Sequence, residues 1–448
     1  MHPKYVIAPK SVVVMSCALM LAASPGRAAV SDAAAQALRG RLTPTGAERA
    51  GNADGTIPAW TGAVTPADPA GTETPLLIID HANYQRYRDR LPEGQLALFA
   101  HFPDYRMRVF PAHRTGVAPA AVYDNIFRNA TRARAAPEGI KYGVAGAAGG
   151  VPFPIPANGT EIVWNHLLAF WGAAREAHVA TYVASGDGSI QQSAGYSEIT
   201  DFPYYAAGAT PENIGAYYFK TRRLQDAPPA RAGEAYIAWQ PLDVARDKYV
   251  AWRYLPGEHR VRKAPSLSYD TPDADSSGYE SLDDYYLFFG GPDRYDFRLL
   301  GKREIYVPYN NDRLNRAPPR DVMGGQHANQ DRLRYELHRV WVVEGTLAPG
   351  QHHVVPRRRL YVDEDTWLAV YSEEWDDSGK LWKFGEGTMT LLPKIPAVII
   401  GAQYVYDLLQ GGYCYDFSFG GPSGYYRVTA PHQPDNFEAD ALAASSLK

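Results

Sequence analysis

The sequence predicts a mainly β protein with α-helices, in which an antiparallel sheet follows an N-terminal helical and extended region. The first observation is size, because 448 residues with 45% hydrophobic composition provide a large core. The second is that short apolar segments alternate with tight turns from about residue 178 onward, as in an antiparallel meander. The third is the content of 31 tyrosines and 9 tryptophans. These rings join an apolar body to a polar tip and suit curved sheets and grooves.

Residues 1–28 have the three parts of a secretory signal peptide. Lys4 and Lys10 give a positively charged start, an apolar run follows, and the segment ends in the small-x-small pattern of a cleavage site. The apolar run is shorter than the roughly 20 residues that span a bilayer. We therefore predict an exported mature chain that begins near Ala29. A lipoprotein signal at Cys17 is the alternative.

The composition excludes several classes of protein. The net charge is −4 and there is no polybasic run, so neither a nucleic-acid partner nor an electrostatic membrane anchor is predicted. The chain has two cysteines, and removal of the signal leaves only Cys414. The mature chain therefore forms no internal disulfide, and its stability must come from an ordinary core.

Residues 29–448 are expected to form one domain, in which an arm (about 29–75) and a helical elaboration (about 76–177) precede the sheet. The arm is rich in Gly, Pro, Thr and Asn, which is typical of an extended segment, and Trp60 is its expected anchor. Helices are predicted after Asp80, from Pro92, over Ala120–Arg134, and from a Thr160 cap through Trp171, with a strand over Arg106–Phe110.

The second half of the chain is predicted to form sequential hairpins. Around Trp252 neither alternating set of residues is purely polar, so the sheet must be covered on both faces or wrap around something apolar. Residues 270–284 are predicted to be a polar loop within the sheet, and the tail after Pro434 is predicted to be loose. Strands are predicted over residues 181–185, 248–255, 260–263, 360–363, 367–375 and 381–391.

Several blocks of the sequence together resemble one bacterial family of outer-membrane lipoprotein-sorting-like proteins, the domain of unknown function 1329 family. The resemblance extends from about Leu42 to about Tyr415. Its blocks are LTP with GAE and GTIPAW (42–60), GGVPFPIP (149–156), WNH (164–166), RVRKAP (260–265), GPDRYD (291–296), YVPYN (306–310), RYELHRVWVVE (334–344) and VDED (362–365).

The resemblance implies a fold like that of the carriers LolA and LolB, in which a curved antiparallel half barrel closes partly around helices and encloses an apolar cavity. It also implies a periplasmic location and an association with a resistance-nodulation-division-type transporter and an outer-membrane partner. This chain is longer than LolA and LolB, so its N-terminal segments have no counterpart there, and a lipoprotein cargo is doubtful.

The sequence contains no convincing catalytic motif, and we predict neither enzymatic activity nor a cofactor. Ser423 lies in Gly-Pro-Ser-Gly, one residue short of a nucleophile elbow. Cys414 lies between tyrosines on a predicted strand, which favours a buried structural thiol. Glu373 and Glu374 are predicted to lie at a hairpin turn. His166 is expected to bond to a neighbouring strand, with contact to a ligand as the alternative.

No metal site is predicted. His352 and His353 point to opposite faces of an extended segment, and no spacing joins them to His327 or His338. Residues 273–284 have the oxygen-ligand spacing of a calcium loop. However, the closing residue is aspartate and strands flank the segment, so a solvated turn is preferred.

We therefore predict a periplasmic carrier or accessory protein that binds a lipid or other hydrophobic molecule and works with an envelope transporter. The alternatives are a scaffold that docks on a transporter complex without a ligand, and an unrecognised lipid or polyester hydrolase. The candidate ligand-binding aromatics are Trp164, Phe170, Trp171, Trp252 and Tyr254, and Arg253 or Arg262 is the candidate anchor for an acidic headgroup.

Overall fold

A computed structural model describes residues 30–264, 269–421 and 423–445. The predicted signal peptide lies outside these residues. The described chain is mainly β, with 37% strand and 18% helix, which confirms the predicted fold class. Within these ranges, no helix combines the length and the apolarity needed to cross a membrane.

The helices are short and are concentrated before the large sheet. The α-helices are α1 (Asp32–Ala35), α2 (Glu93–His101), α3 (Ala120–Arg132), α4 (Gly159–Leu167), α5 (Pro319–Val322) and α6 (Ala439–Ser445). The 3-10 helices are Gln36–Arg39, Tyr84–Arg90, Pro203–Tyr205, Pro229–Arg231, Pro256–Glu258, Tyr285–Leu287, Pro292–Arg294 and Pro434–Phe437. Helix α3 agrees with its prediction, and the tail after Pro434 is not loose as predicted, because Leu442 of α6 is fully buried.

Helix α4 differs from its prediction at both ends. Its N-cap is Asn158 and not Thr160, because the Asn158 side chain accepts a hydrogen bond from the Glu161 backbone N–H at 3.0 Å. Glu161 in turn accepts from the Ala157 N–H, which gives a reciprocal cap. The helix ends at Leu167, short of the predicted Trp171.

The strands form one large sheet and two small hairpin-like pairs. The small pairs join β1 (Leu77–Asp80) to β2 (Arg106–Val109) and β3 (Arg134–Ala136) to β4 (Gly139–Ala145). The large sheet contains β5 (Ala174–Ala184), β6 (Ile190–Asp201), β7 (Tyr217–Ala227), β8 (Ala235–Pro241), β9 (Val250–Leu255), β10 (Arg260–Lys263), β11 (Tyr295–Val307), β12 (Glu336–Leu347), β13 (Arg357–Asp363), β14 (Ala369–Trp375), β15 (Leu381–Leu392), β16 (Ala397–Asp407), β17 (Tyr413–Ser418) and β18 (Tyr425–Val428).

The large sheet consists of two antiparallel meanders that meet at β5 and β17. Strands β5 to β10 run in sequence order to one edge, and strands β11 to β17 return in sequence order from the opposite edge. Strand β18 also pairs with β5. The sheet is curved but does not close into a barrel. The connection from β10 to β11 must therefore cross from one edge of the sheet to the other.

Residues 269–289 make this crossing and fill the concave side of the sheet; we call them the plug. Two adjacent residues of the plug reach strands that lie far apart in the sheet. Tyr285 accepts a hydrogen bond from Arg223 of β7, and Asp284 pairs with Lys383 of β15 at 3.0 Å. The segment is a polar loop, as predicted for residues 270–284. The prediction of a solvated turn over residues 273–284 was wrong, because the segment is packed against the sheet and most of its polar side chains are buried. Its buried polar residues are Asp273, Ser276, Glu280, Ser281, Asp283 and Asp284.

The opposite face of the sheet, the outer face, is covered in part by α2 of the N-terminal elaboration. The Gly94 N–H of α2 donates to Glu373 at 2.8 Å, and Gln95 donates to Glu386 of β15 at 3.2 Å. Glu373 and Glu374 thus lie buried within β14 and not at the hairpin turn where they were predicted. Both faces of the central strands are covered, which is one of the two alternatives that the sequence left open.

The N-terminal arm is held by hydrogen bonds to the domain. Trp60 donates from its indole N–H to the Gly116 carbonyl at 2.9 Å, in the anchoring position that the sequence predicted. Trp367 donates to the Thr45 carbonyl of the arm at 2.8 Å. The arm is therefore tied both to the N-terminal elaboration and to the turn after β13.

The plug approaches β15 most closely at Gly385. A Cβ at this position would lie against the Ser372 side chain and 2.7 Å from Leu287 of the plug. We expect Gly385→Ala to lower the free energy of unfolding by roughly 1–3 kcal/mol through overpacking. Urea denaturation would measure the change. Gly257→Ala is the control, because a Cβ there meets no atom within 4 Å; equal effects of the two variants would contradict this packing.

Candidate functional site

The described part of the chain contains an open cleft of about 220 Å³ between one end of the large sheet and the plug. Alternate residues of β7 and β8 form its sheet wall, because side chains of a strand point to opposite faces with a period of two. From β7 these are Phe219, Thr221, Arg223 and Gln225, and from β8 they are Tyr236, Ala238 and Gln240.

Aromatic rings form the interior of this aromatic cleft. Phe219 meets Phe289 of the plug edge to face, with 4.8 Å between ring centroids. Phe289 also contacts Tyr286 at 5.6 Å, and Tyr236 and Tyr249 share a hydrogen bond between their hydroxyls. Such surfaces bind apolar and aromatic groups through buried area and ring contacts.

Arg223 of the cleft wall belongs to a buried ion cluster with Arg175 and Glu198, which lie behind it. Glu198 of β6 accepts from Arg223 at 2.6 Å and from Arg175 at 2.7 Å, and Arg175 also donates to the Tyr286 hydroxyl at 2.6 Å. Burial alone would raise the pKa of Glu198, but the two guanidinium groups lower it to about 2. The ion cluster orients the aromatic wall and stays charged at neutral pH.

The rim of the cleft carries charges of both signs. Glu234 pairs with Arg231 at 3.3 Å and with Arg253 at 2.8 Å, and Arg231 also pairs with Asp275 at 2.7 Å. Asp273 is buried beside Asp275, and this burial, together with the charge of Asp275, raises the pKa of Asp273 to about 7. The rim can therefore hold a polar or charged headgroup while the rings hold an apolar body.

None of the described residues that line the cleft is a serine, cysteine, histidine or lysine. The cleft offers hydroxyl, carboxyl, amide and guanidinium groups.

Three predicted site residues lie together on β9, but they face different sides of the sheet. Arg253 lines the rim of the cleft. Trp252 and Tyr254 point to the outer face, where they pack in one cluster with Trp239 and with Leu442 of α6. The alternation along β9 separates the candidate anchor from the two candidate aromatics.

The other predicted aromatics lie behind the cleft. Trp164 is buried and donates to the Ile140 carbonyl at 2.6 Å. Trp171 packs edge to face on Tyr286 at 4.5 Å and lines a second cavity of about 20 Å³ that shares Tyr286 with the cleft. Phe170 instead packs on Tyr205 at 5.1 Å. Trp171 can therefore influence the cleft only through the shared wall.

The predicted His166 bond is present. His166 donates from Nε2 to the Phe288 carbonyl at 3.0 Å and accepts from the Ala369 N–H at 3.1 Å. Burial lowers the pKa of His166 to about 4, so its ring is neutral and links α4 to the plug and to β14.

The remaining predicted residues are outside the cleft. Arg262 lies on the edge strand β10 and pairs with Glu258 at 2.7 Å, with 63% of its side chain exposed. Cys414 is a buried free thiol, as predicted, and Ser423 is exposed. The sequence analysis did not identify the aromatic residues that line the cleft. The alternating FxTxRxQ pattern of β7 (219–225) could have indicated them, because it places polar and aromatic side chains on one face of the strand.

His353 and His338, two of the histidines that the sequence analysis considered as metal ligands, bond to different partners. His353 pairs with Asp283 at 3.2 Å and accepts from the Val355 N–H. His338 bonds to Glu336 at 3.2 Å. The calcium-like segment does not present its closing carboxylate, because Asp284 pairs with Lys383.

Comparisons with known proteins place the chain in a family. A family model described as protein of unknown function (DUF1329) matches residues 78–443. The uncharacterized protein PA3922 of Pseudomonas aeruginosa is 37% identical over 445 residues, which cover 93% of this chain and 96% of that protein.

Two solved structures are similar to this chain. A DUF1329 family protein from Desulfovibrio piger has a TM-score of 0.42 at 15% identity and covers 61% of this chain and 92% of its own. The LolA superfamily protein NE2245 from Nitrosomonas europaea has a TM-score of 0.39 at 13% identity and covers 64% of this chain and 99% of its own. The family model and the Pseudomonas relative together show that the chain belongs to the DUF1329 family.

Proposed function

We propose that the protein is a periplasmic carrier or accessory protein that holds an apolar or amphipathic molecule in the aromatic cleft, and that it is not an enzyme. The observation that carries the proposal is the cleft itself, with rings inside and paired charges at the rim. Removal of apolar ligand surface from water contributes about 25 cal/mol per Å². The aromatic interior of the cleft provides the apolar surface for this contribution, and the charged rim orients the ligand.

The size of the cleft limits its cargo. Its volume of about 220 Å³ is below the roughly 300–1,000 Å³ of pockets that enclose a whole drug-sized ligand. A small amphiphile fits within the cleft, whereas a long-chain lipid would insert one segment and leave the rest outside. Arg231 and Arg253 at the rim favour an acidic headgroup.

The location and partners in this proposal rest on the sequence. The predicted signal peptide directs the chain out of the cytoplasm, and the family resemblance implies a resistance-nodulation-division-type transporter and an outer-membrane protein as partners. The carrier passes its ligand between these partners. A scaffold without a ligand is the competing function that the binding experiment distinguishes.

The test is binding of the fluorophore 1-anilinonaphthalene-8-sulfonate to the folded protein, followed by displacement with oleate. We expect Ala238→Phe to weaken dye and oleate binding at least about tenfold, because the new ring fills the cleft from β8 and removes about 1.4 kcal/mol or more of binding. Fluorescence titration measures both affinities.

The matched control is Val261→Phe, which adds the same ring to the outer-face cluster on β10. This variant should bind like the wild type, and circular dichroism should show both variants folded. If the folded wild type binds neither dye nor oleate, the scaffold function replaces the carrier function. An equal loss of affinity in both variants would mean that the ligand binds outside the cleft.

A further inference from the structure

Three potential metal ligands converge where β12 begins and β13 ends. They are Nδ1 or Nε2 of His338 and one carboxylate oxygen each of Asp363 and Asp365, and these atoms lie within 4.8 Å of one another. His338 belongs to β12, Asp363 is the last residue of β13, and Asp365 follows in the turn. All three residues are at most 2% exposed.

A carboxylate holds the imidazole of His338 in one orientation. Nε2 bonds to the Glu336 carboxylate at 3.2 Å, which leaves Nδ1 on the side of Asp363, 3.8 Å from its Oδ1. The Tyr309 ring stacks on the imidazole at 3.9 Å and blocks its rotation. A histidine whose second nitrogen donates to a carboxylate is the usual arrangement of a metal ligand.

Asp363 lacks the positive partner that the neighbouring carboxylates have. Asp365 pairs with Arg114 at 2.7 Å and Glu364 with Lys302 at 2.7 Å. Among the described residues, the ion-pair partner recorded for Asp363 is His338 alone, and the buried Oδ1 of Asp363 receives no hydrogen bond. The site is thus short of positive charge at a defined atom.

The ligand atoms must move closer together before they can share one metal ion. In a tetrahedral site, two donors at about 2.1 Å from the ion lie about 3.4 Å apart, so ligand atoms up to 4.8 Å apart must approach by as much as roughly 1.4 Å. Arg114 binds both oxygens of Asp365 at 2.7 and 2.9 Å. A carboxylate has about four lone-pair sites, so Asp365 retains free lone pairs for an ion.

We propose that His338, Asp363 and Asp365 bind one divalent transition-metal ion, of which Zn²⁺ suits one imidazole and two carboxylates. The ion would join β12 to the turn after β13. That turn also carries Trp367, which donates to Thr45 of the N-terminal arm. The site would therefore fasten the arm to the sheet, at a place remote in sequence from the aromatic cleft.

The test uses the full mature chain, stripped with a chelator and titrated with Zn²⁺ by calorimetry. We expect one ion per chain, and a melting temperature raised by about 3 °C at a hundredfold excess over Kd. Asp363→Asn should abolish the calorimetric signal and the shift. His353→Asn is the matched control, because His353 is another buried histidine paired with an aspartate, outside the site.

Two results would overturn the proposal. One is a folded wild type that takes up no stoichiometric Zn²⁺. The other is Zn²⁺ binding that survives Asp363→Asn. If Asp363→Asn does not fold, the fallback experiment is to add Co²⁺ to the wild type and record its absorption spectrum. The absence of the ligand-field bands of Co²⁺ bound by nitrogen and oxygen ligands would then count against the proposal.

Discussion

Arg358→Leu is expected to lower the free energy of unfolding by about 3–5 kcal/mol, the cost of removing one partner from a buried ion cluster. The Arg358 side chain is 1% exposed and lies 3.1 Å from Asp283 of the plug and 3.6 Å from Glu374 of β14. Leucine leaves these carboxylates buried without their guanidinium partner. Lys383 compensates only in part, since its close contact is with Asp284.

The midpoint of urea denaturation measures this loss. Arg298→Leu is the control, because the Arg298 side chain is 74% exposed and its pair with Glu344 is worth at most about 1 kcal/mol. Adding Asp283→Asn to Arg358→Leu should recover part of the stability, because one unpaired charge is then removed. Equal midpoints for Arg358→Leu and the control would mean that the plug does not depend on this cluster.

Glu386→Gln is expected to stabilise the protein at pH 8 by roughly 1–3 kcal/mol and to have little effect at pH 5. Glu386 is fully buried between β15 and α2, and this burial raises its pKa from 4.5 to about 7. The folded state therefore holds the proton that the unfolded state releases between these values. The resulting stability is present in full below pH 4.5 and is lost as the pH rises through 7.

Other buried acids act in the same direction. Burial raises the pKa of Glu373 and of Asp273 to about 7, and that of Asp416 to about 6. Glu198, with its pKa lowered to about 2, has the opposite effect and loses its contribution only as the pH falls from 4.5 toward 2. The wild type should accordingly be more stable near pH 5 than near pH 8.

Urea midpoints at pH 5 and pH 8 test this expectation. One pKa unit corresponds to 1.36 kcal/mol, so a rise of the pKa from 4.5 to about 7 changes the free energy of unfolding by at most about 3.4 kcal/mol per group. The exposed Glu438 provides the control substitution, Glu438→Gln, which should leave the pH dependence unchanged. A wild type that grows more stable from pH 5 to pH 8 would contradict the buried, protonated state of Glu386.

The elements that the sequence predicted well depend on local interactions. The hairpin turn at Asp376–Gly379 and the extent of α3 follow from turn residues and from a 3.6-residue period. The predicted N-cap of α4 was two residues too late, because Asn158 and Thr160 can both cap a helix. Only Asn158 has the extended backbone and the bond to Glu161 that a cap requires.

The sequence by itself determined the mainly β class through its strand and turn pattern, and it indicated the family through the resemblance of its blocks. It left two alternatives for the sheet, which could be covered on both faces or wrap around something apolar. Only the tertiary structure decided which face of β9 lines the cleft, since this depends on where the plug and α6 pack. It also decided that a polar segment is buried, because the plug must cross the concave side to join opposite edges. His338 lies 25 residues before Asp363, and only the pairing of β12 with β13 brings their side chains together.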